Sequence, residues 1–239
     1  MDVPRTVTTA LEDRPVAGAI CLEAGAGVGN TTAGLLAKDA ERVYAVTNDE
    51  AHTRIVRDRI GREQADRTAV LRADLIETPL ASRSVDLITA HGLFNIVPPD
   101  RLPAIIEELT RVAAPGCHLV VDDYEPLPED AAVSDLFAVE NAATELATGR
   151  SALTFYPATM LRHLLEGYGW EFDRERTLLD PVPWTEHHLE AHATVARSNA
   201  ETAPREMGDV LIAEADRLVA AIGDESVGTM YSIAMRLPE

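Results

Sequence analysis

Five short apolar runs separated by segments of helical periodicity constrain this chain more than any other feature. Ala19–Leu22, Val43–Val46, Ala69–Leu71, Val85–Thr89 and Leu119–Val121 lack the polar alternation of a half-solvated strand, so each reads as a strand buried on both faces. Strands of that kind belong in a parallel sheet covered by helices. Between the fourth and fifth runs, Leu102, Ile105, Ile106, Leu109 and Val112 recur at helical spacing, and Pro115-Gly116 is expected to stop that helix before the fifth strand. The alternation predicts a doubly wound, Rossmann-like α/β sheet in a single domain spanning residues 1–239. Its ligand belongs beyond the carboxyl ends of the strands, where strand order reverses.

Composition narrows the setting. No apolar run is long enough to span a bilayer, and the N-terminus lacks the basic-then-apolar pattern of a secretory signal, so a soluble, cytoplasmic protein is expected. Cys21 and Cys117 lie in apolar, strand-like contexts and read as buried free thiols. The net charge of −19 and the absence of a basic, aromatic-interleaved patch argue against nucleic acid and anionic membrane as partners. Lys38 is the only lysine, and the acidic residues are spread along the whole chain. That distribution resembles proteins of salt-accumulating archaea, in which acidity reports habitat.

The stretch CLEAGAGVGN, Cys21 to Asn30, follows the first strand and opens the first helix of the sheet. Its glycines let the backbone approach a ligand closely. A dinucleotide fingerprint requires G-x-G-x-x-G, but the sixth position is Asn30, and the third glycine comes one place early at Gly29. What remains, E-x-G-x-G-x-G beginning at Glu23, resembles the first motif of class I S-adenosylmethionine-dependent methyltransferases. RADLIETPLASRSVDLITAHGLFNIVP looks like that family's third and fourth strands with their connecting loop. EELTRVAAPGCHLVVDD and LTFYPATMLRHLLEGYGWEFDRERTL are similar to later segments of the small-molecule subgroup that includes the ubiquinone-biosynthesis enzymes, and TMYSIAMRLP suits an antiparallel seventh strand.

The resemblance implies a mostly parallel seven-stranded sheet with an antiparallel last strand and a site for S-adenosylmethionine. Gly25, Ala26, Gly27 and Gly29 would cradle its amino-acid end, whose carboxylate suits backbone N–H groups and a helix N-terminus. Glu23 would take the ammonium, and Asp74 the adenine amino group, with the backbone around Leu75 at a ring nitrogen. The family's second strand commonly ends in an acid that accepts from both ribose hydroxyls, whereas Thr47 stands here. Either Asn48 or Asp49 turns inward to substitute, or the ribose is left partly solvated.

Methyl transfer asks the protein mainly for alignment and exclusion of water. His91, directly after the fourth strand, is the candidate general base or acceptor-orienting group, with a histidine bonded to a backbone carbonyl as the alternative. Tyr124, Asp123 and Tyr156 are further candidates for the acceptor pocket. AHGLF replaces the Pro-Pro-aromatic motif of enzymes acting on nucleic-acid bases, and Asp122-Asp123-Tyr124 lacks the Asp-Asn pair of the metal-dependent catechol type. A small organic acceptor is therefore expected. The rival expectations are a degenerate cofactor-binding or regulatory subunit and a nucleotide-dependent oxidoreductase.

Two helical insertions complete the reading. Residues 128–149, with Leu136, Phe137, Val139 and Leu146, suit a lid or, equally, ordinary packing against the core. Residues 185–223 offer an apolar face of Met207, Leu211, Leu218 and Ile222, suited to a lid or to a subunit contact in a homo-oligomer. His188 and His192 share a helical face there, but without a third ligand no metal is assigned. If the acidity reflects a salt-rich interior, the melting temperature should rise from low to molar salt as screening relieves repulsion among carboxylates. A flat or falling melting temperature would contradict the habitat reading.

Overall fold

The computed structural model describes residues 2–239. Seven strands form one sheet: β1 (Ile20–Ala24), β2 (Arg42–Thr47), β3 (Thr68–Arg72), β4 (Val85–His91), β5 (Ala113–Tyr124), β6 (Glu171–Leu179) and β7 (Met230–Arg236). Their order is β3-β2-β1-β4-β5-β7-β6, with β7 antiparallel to both of its neighbours and the rest parallel. The chain winds outward from β1 to β3, then returns to β4 on the other side of β1. Strand order therefore reverses between β1 and β4, which locates the crevice expected for a ligand.

Helices cover both faces, as strands this apolar require. On one face α1 (Arg5–Ala10), α2 (Asn30–Ala37) and α3 (Glu50–Ile60) bury Val7, Leu35 and Val56 against Cys21, Val43 and Leu87. On the other, α4 (Leu102–Val112) and α6 (Ala158–Gly167) bury Ile106, Leu109 and Leu161 against Leu22, Ile88 and Leu119. The amphipathic spacing read at Leu102–Val112 is thus the buried stripe of α4. That helix ends before Pro115-Gly116, which does not separate helix from strand. The dipeptide lies inside β5, where the pairing with β4 skips from Val85↔Ala113 to Leu87↔His118, and Gly116 takes φ +81° in the irregularity.

The two insertions pack on each other. α5 (Ala132–Thr148), ended by Gly149 at φ +77°, joins α7 (Glu186–Ala200) and α8 (Arg205–Ile222) in a cap with its own core of Val133, Leu136, Phe137, Trp184, Leu189 and Leu218. Residues 185–223 thus form two helices. Met207 and Leu146 face outward, 48% and 44% exposed. At the start of α8 the buried contact is made by Gly208, where a Cβ would lie 2.4 Å from the Ala200 carbonyl oxygen. Only a glycine lets α8 approach the end of α7 so closely. His188 accepts from the Thr185 N–H (3.2 Å) at the start of α7, and His192 Nδ1 lies 2.7 Å from Glu140 on α5, so each histidine serves the cap's own structure. Among the described residues no helix is long and apolar enough to cross a membrane.

Candidate functional site

A cavity of about 520 Å³ opens at the carboxyl ends of β1 to β4, at the reversal of strand order. Its wall joins Gly25 and Gly27 after β1, Thr47, Asn48 and Asp49 after β2, Asp74 and Leu75 after β3, and His91 at the end of β4. These positions, spread over 67 residues of sequence from Gly25 to His91, converge because the strands are parallel and in register.

The glycine turn is shaped from within. Gly25 and Gly27 have φ of +74° and +49°, which side-chain-bearing residues rarely adopt, and a Cβ on Gly25 would lie 2.8 Å from Leu93 Cδ1. Ala26 and Gly29 were expected to touch the ligand but do not line the cavity. Ala26 is buried with its N–H on the Val46 carbonyl (2.8 Å), and Gly29 caps α2 at φ +78°. Glu23 is likewise not a lining residue. Its carboxylate turns toward α2, accepting the Thr32 N–H at 2.9 Å and the Thr32 hydroxyl, and so ties β1 to the first turn of the helix. Burial pushes the Glu23 carboxyl up to about 7, against the bonds from Thr32.

At the end of β2, Thr47 is nearly buried and its Oγ1 accepts the Asp49 N–H at 3.2 Å. Asp49, which lines the cavity, caps α3 by accepting the His52 N–H at 2.8 Å through Oδ1. That backbone bond, with the His52 and Arg72 charges, holds the Asp49 carboxyl below its ordinary value. Past β3, Asp74 is clamped by Arg101, whose Nη2 reaches both carboxylate oxygens at 2.6 Å. Partial burial opposes ionisation, but the arginine outweighs it and keeps the carboxyl low. The loop after Asp74 is anchored by the buried Glu108 on α4, which accepts the Thr78 N–H at 2.7 Å and pairs with Arg111.

His91 is the last residue of β4, one place inside the strand rather than after it. Its Nδ1 lies 2.9 Å from Asp122 Oδ2, so the imidazole is bonded to a carboxylate, not to a backbone carbonyl. Burial disfavours the imidazolium, yet the bond to Asp122 and the charges of Asp122, Glu23 and Asp123 outweigh it and raise the pKa. Asp122 is the partner of His91 that sequence reasoning missed. Its signal was the strand register, which sets it directly opposite His91.

Two of the other acceptor-pocket candidates, Asp123 and Tyr156, serve the loop after β4. Asp123 accepts the Asn95 and Tyr124 N–H groups at 3.0 Å each, and burial pushes its carboxyl up to about 7. Tyr156 donates its hydroxyl to the Val97 carbonyl at 2.9 Å. Tyr124 does not line the cavity; it packs against Trp184 and Phe155 beside the cap, and burial pushes its phenol up to about 12. The loop held by these bonds supplies Leu93, Ile96, Val97 and Pro98 to the cavity, an apolar wall the sequence motifs did not single out.

Comparison with known proteins bears on the same region. Residues 21–116 match a family profile described as a methyltransferase domain. A demethylmenaquinone methyltransferase of Clavibacter sepedonicus is 32% identical over 123 residues, which cover 51% of this chain and 48% of that protein. The aligned part thus spans about half the length of that relative. A SAM-dependent methyltransferase from Aquifex aeolicus shares the fold with a TM-score of 0.59 at 16% identity, over 97% of this chain and 89% of that one. Haemonchus contortus phosphoethanolamine N-methyltransferase 2, solved with phosphomonomethylethanolamine and S-adenosylhomocysteine, aligns with a TM-score of 0.63 at 14% identity, over 98% of this chain and 53% of that one.

The buried Glu23 yields a test of this geometry. A carboxyl whose pKa is raised on folding is best tolerated below its ordinary range, and stability is lost as pH rises through about 7. Glu23→Gln keeps an oxygen for Thr32 and removes the charge. Its melting temperature should exceed wild type at pH 8, by about 2–4 °C for each kcal/mol relieved, and match it near pH 5. An equal effect at both pH values would contradict the buried-charge account.

Proposed function

We propose that this protein transfers a methyl group from S-adenosylmethionine to a small organic acceptor. The observation that carries the reading is the single cavity in which the glycine turn, the end of β2, Asp74 and His91, backed by Asp122, meet. Its volume suits one ligand of cofactor size. The residues fit the cofactor's parts: a Cβ-free backbone at Gly25 and Gly27 for the amino-acid end, Thr47, Asn48 and Asp49 for a diol, and Asp74 with Leu75, Val97 and Ile105 for adenine. When bound, S-adenosylmethionine supplies an activated methyl carbon and leaves as the neutral thioether.

The chain's own part is to exclude water, align the acceptor and take its proton. Asp122 on Nδ1 leaves His91 Nε2 as the nitrogen free to accept a proton from an O–H or N–H acceptor. The apolar stretch from Leu93 to Pro98 shields that end of the cavity, and we assign the cap of α5, α7 and α8 to the acceptor side. A small acceptor is supported by the names of the aligned relatives and by walls whose one arginine, Arg101, is already paired with Asp74.

Calorimetric titration tests the reading. S-adenosylmethionine and S-adenosylhomocysteine should bind and NADH should not, whereas NADH binding with neither of the others would overturn it. The ribose end has its own test. Asp49→Asn retains the helix cap, because asparagine caps as well as aspartate, but removes the carboxylate from the cavity wall. It should weaken S-adenosylhomocysteine by about 1.5–3 kcal/mol, the scale of hydrogen bonds to charged groups. Thr47→Asp, which sets a second carboxylate beside Asp49, should not tighten binding. Tighter binding in Thr47→Asp with no loss in Asp49→Asn would show that Asp49 plays no part.

A further inference from the structure

Three ionisable side chains form a row across the centre of the sheet. Glu23 on β1 pairs in register with Thr89 on β4, and His91, two residues further along β4, pairs in register with Asp122 on β5. Side chains alternate along a strand, so Glu23, His91 and Asp122 share one face, with the imidazole between two carboxylates. Both acids are 3% exposed, and only His91 reaches the cavity. Asp122 spends Oδ2 on His91 Nδ1, and its Oδ1 is buried with no hydrogen-bond partner among the described residues. The imidazole is thus the one hydrogen-bond partner this carboxylate has among the described residues.

The remaining groups leave this pairing in place: across the cavity Arg101 is paired with Asp74, and Asp49 stands beside His52 at the start of α3. From α2, Thr32 bonds Glu23 and carries no charge. From β5, Asp123 lies on the opposite face and adds negative charge. From β7, Ser232 stands opposite Asp122 in register, and its Oγ accepts from Arg174 of β6, a cation already paired with Asp13. A protonated His91 is the group that neutralises the row. A positive ligand in the cavity lined by His91 competes for that role, because like charges in a site of low dielectric disfavour one another.

We propose that the Glu23–His91–Asp122 row holds one proton on His91 in the ligand-free protein and releases it from Nε2 to solvent when a cation enters the cavity. A sulfonium cofactor then creates its own general base. The Nδ1–H stays on Asp122, the Nε2 lone pair is exposed to the acceptor, and the acceptor's proton later refills Nε2 as the methyl bond forms. The thioether product is neutral at sulfur, so its presence does not expel the proton. Asp122 is a positioning residue in this device, and the inference rests on the cofactor reading above.

The two ligands differ by one methyl group and one positive charge, which makes them a matched pair for the test. Proton release is measured calorimetrically near pH 7 in buffers of different ionisation heat, first with S-adenosylmethionine and then with S-adenosylhomocysteine. S-adenosylmethionine should release up to one proton more, and its affinity should climb with pH by up to tenfold per unit where His91 titrates, while that of S-adenosylhomocysteine climbs less. His91→Gln and Asp122→Asn should each erase the difference. Because either variant could fail to fold, the histidine ring nitrogens of the wild-type protein are followed by NMR. One ring should change from imidazolium to the neutral Nδ1–H form with S-adenosylmethionine and remain imidazolium with S-adenosylhomocysteine. Equal proton release for the two ligands, or a ring unchanged by both, would overturn the proposal while leaving the cofactor reading intact. Failure of both ligands to bind would remove the cofactor reading and this inference with it.

Discussion

The parallel pairing of β1 with β2 on one side and β4 on the other is the constraint on which the rest of this site depends. Cys21 to Ala24 match Val43 to Val46 and Leu87 to Ala90 one for one, so three strands end at the same level. Backbone hydrogen bonds and fully buried side chains hold that register, because a slip of one residue would turn Leu22 and Ile88 from one core to the other. The glycine turn, Thr47 and His91 then meet without any direct bond between them. Shape at the crevice is thus inherited from the core beneath it.

What the core does not set, buried polar groups do. Glu23 fixes the start of α2, Glu108 fixes the loop after Asp74, and Asp123 with Tyr156 fixes the loop after β4. Each is nearly inaccessible to solvent and bonded to backbone of a segment that lines or supports the cavity. A loop held this way keeps its geometry at the cost of burying a polar or ionisable group. Two of these carboxyls, Glu23 and Asp123, are driven up to about 7 by that burial, whereas Glu108 stays low because Arg111 accompanies it. Burial without an arginine partner and burial beside one therefore give the same kind of anchor opposite electrostatics.

Much of this was legible in the sequence, for definable reasons. Strands buried on both faces are continuous apolar runs, and the cores of all five were found in order, with boundaries short at the carboxyl ends because polar His91, Asp122 and Asp123 lie inside the strands. Gly25, Gly27, Thr47, Asn48, Asp74, Leu75 and His91, singled out from motif position alone, all line the one cavity. Glu23, Ala26 and Gly29 belong to the same motif but do not line the cavity, because a motif specifies a turn without saying which of its members face outward. Asp122 and Arg101 could not be found, since their partners lie 31 and 27 residues away in sequence and meet them only in the folded chain.

The central claim is that one cavity joins the glycine turn to His91 around a single ligand, and a crystal structure with S-adenosylhomocysteine tests it most directly. The account predicts density running from Gly25 and Gly27 past Asp49 to Asp74, with the ligand's sulfur on the side of His91 and the His91–Asp122 bond retained. Density for the ligand outside this cavity, or a bound ligand that leaves Asp49 and Asp74 untouched, would contradict it.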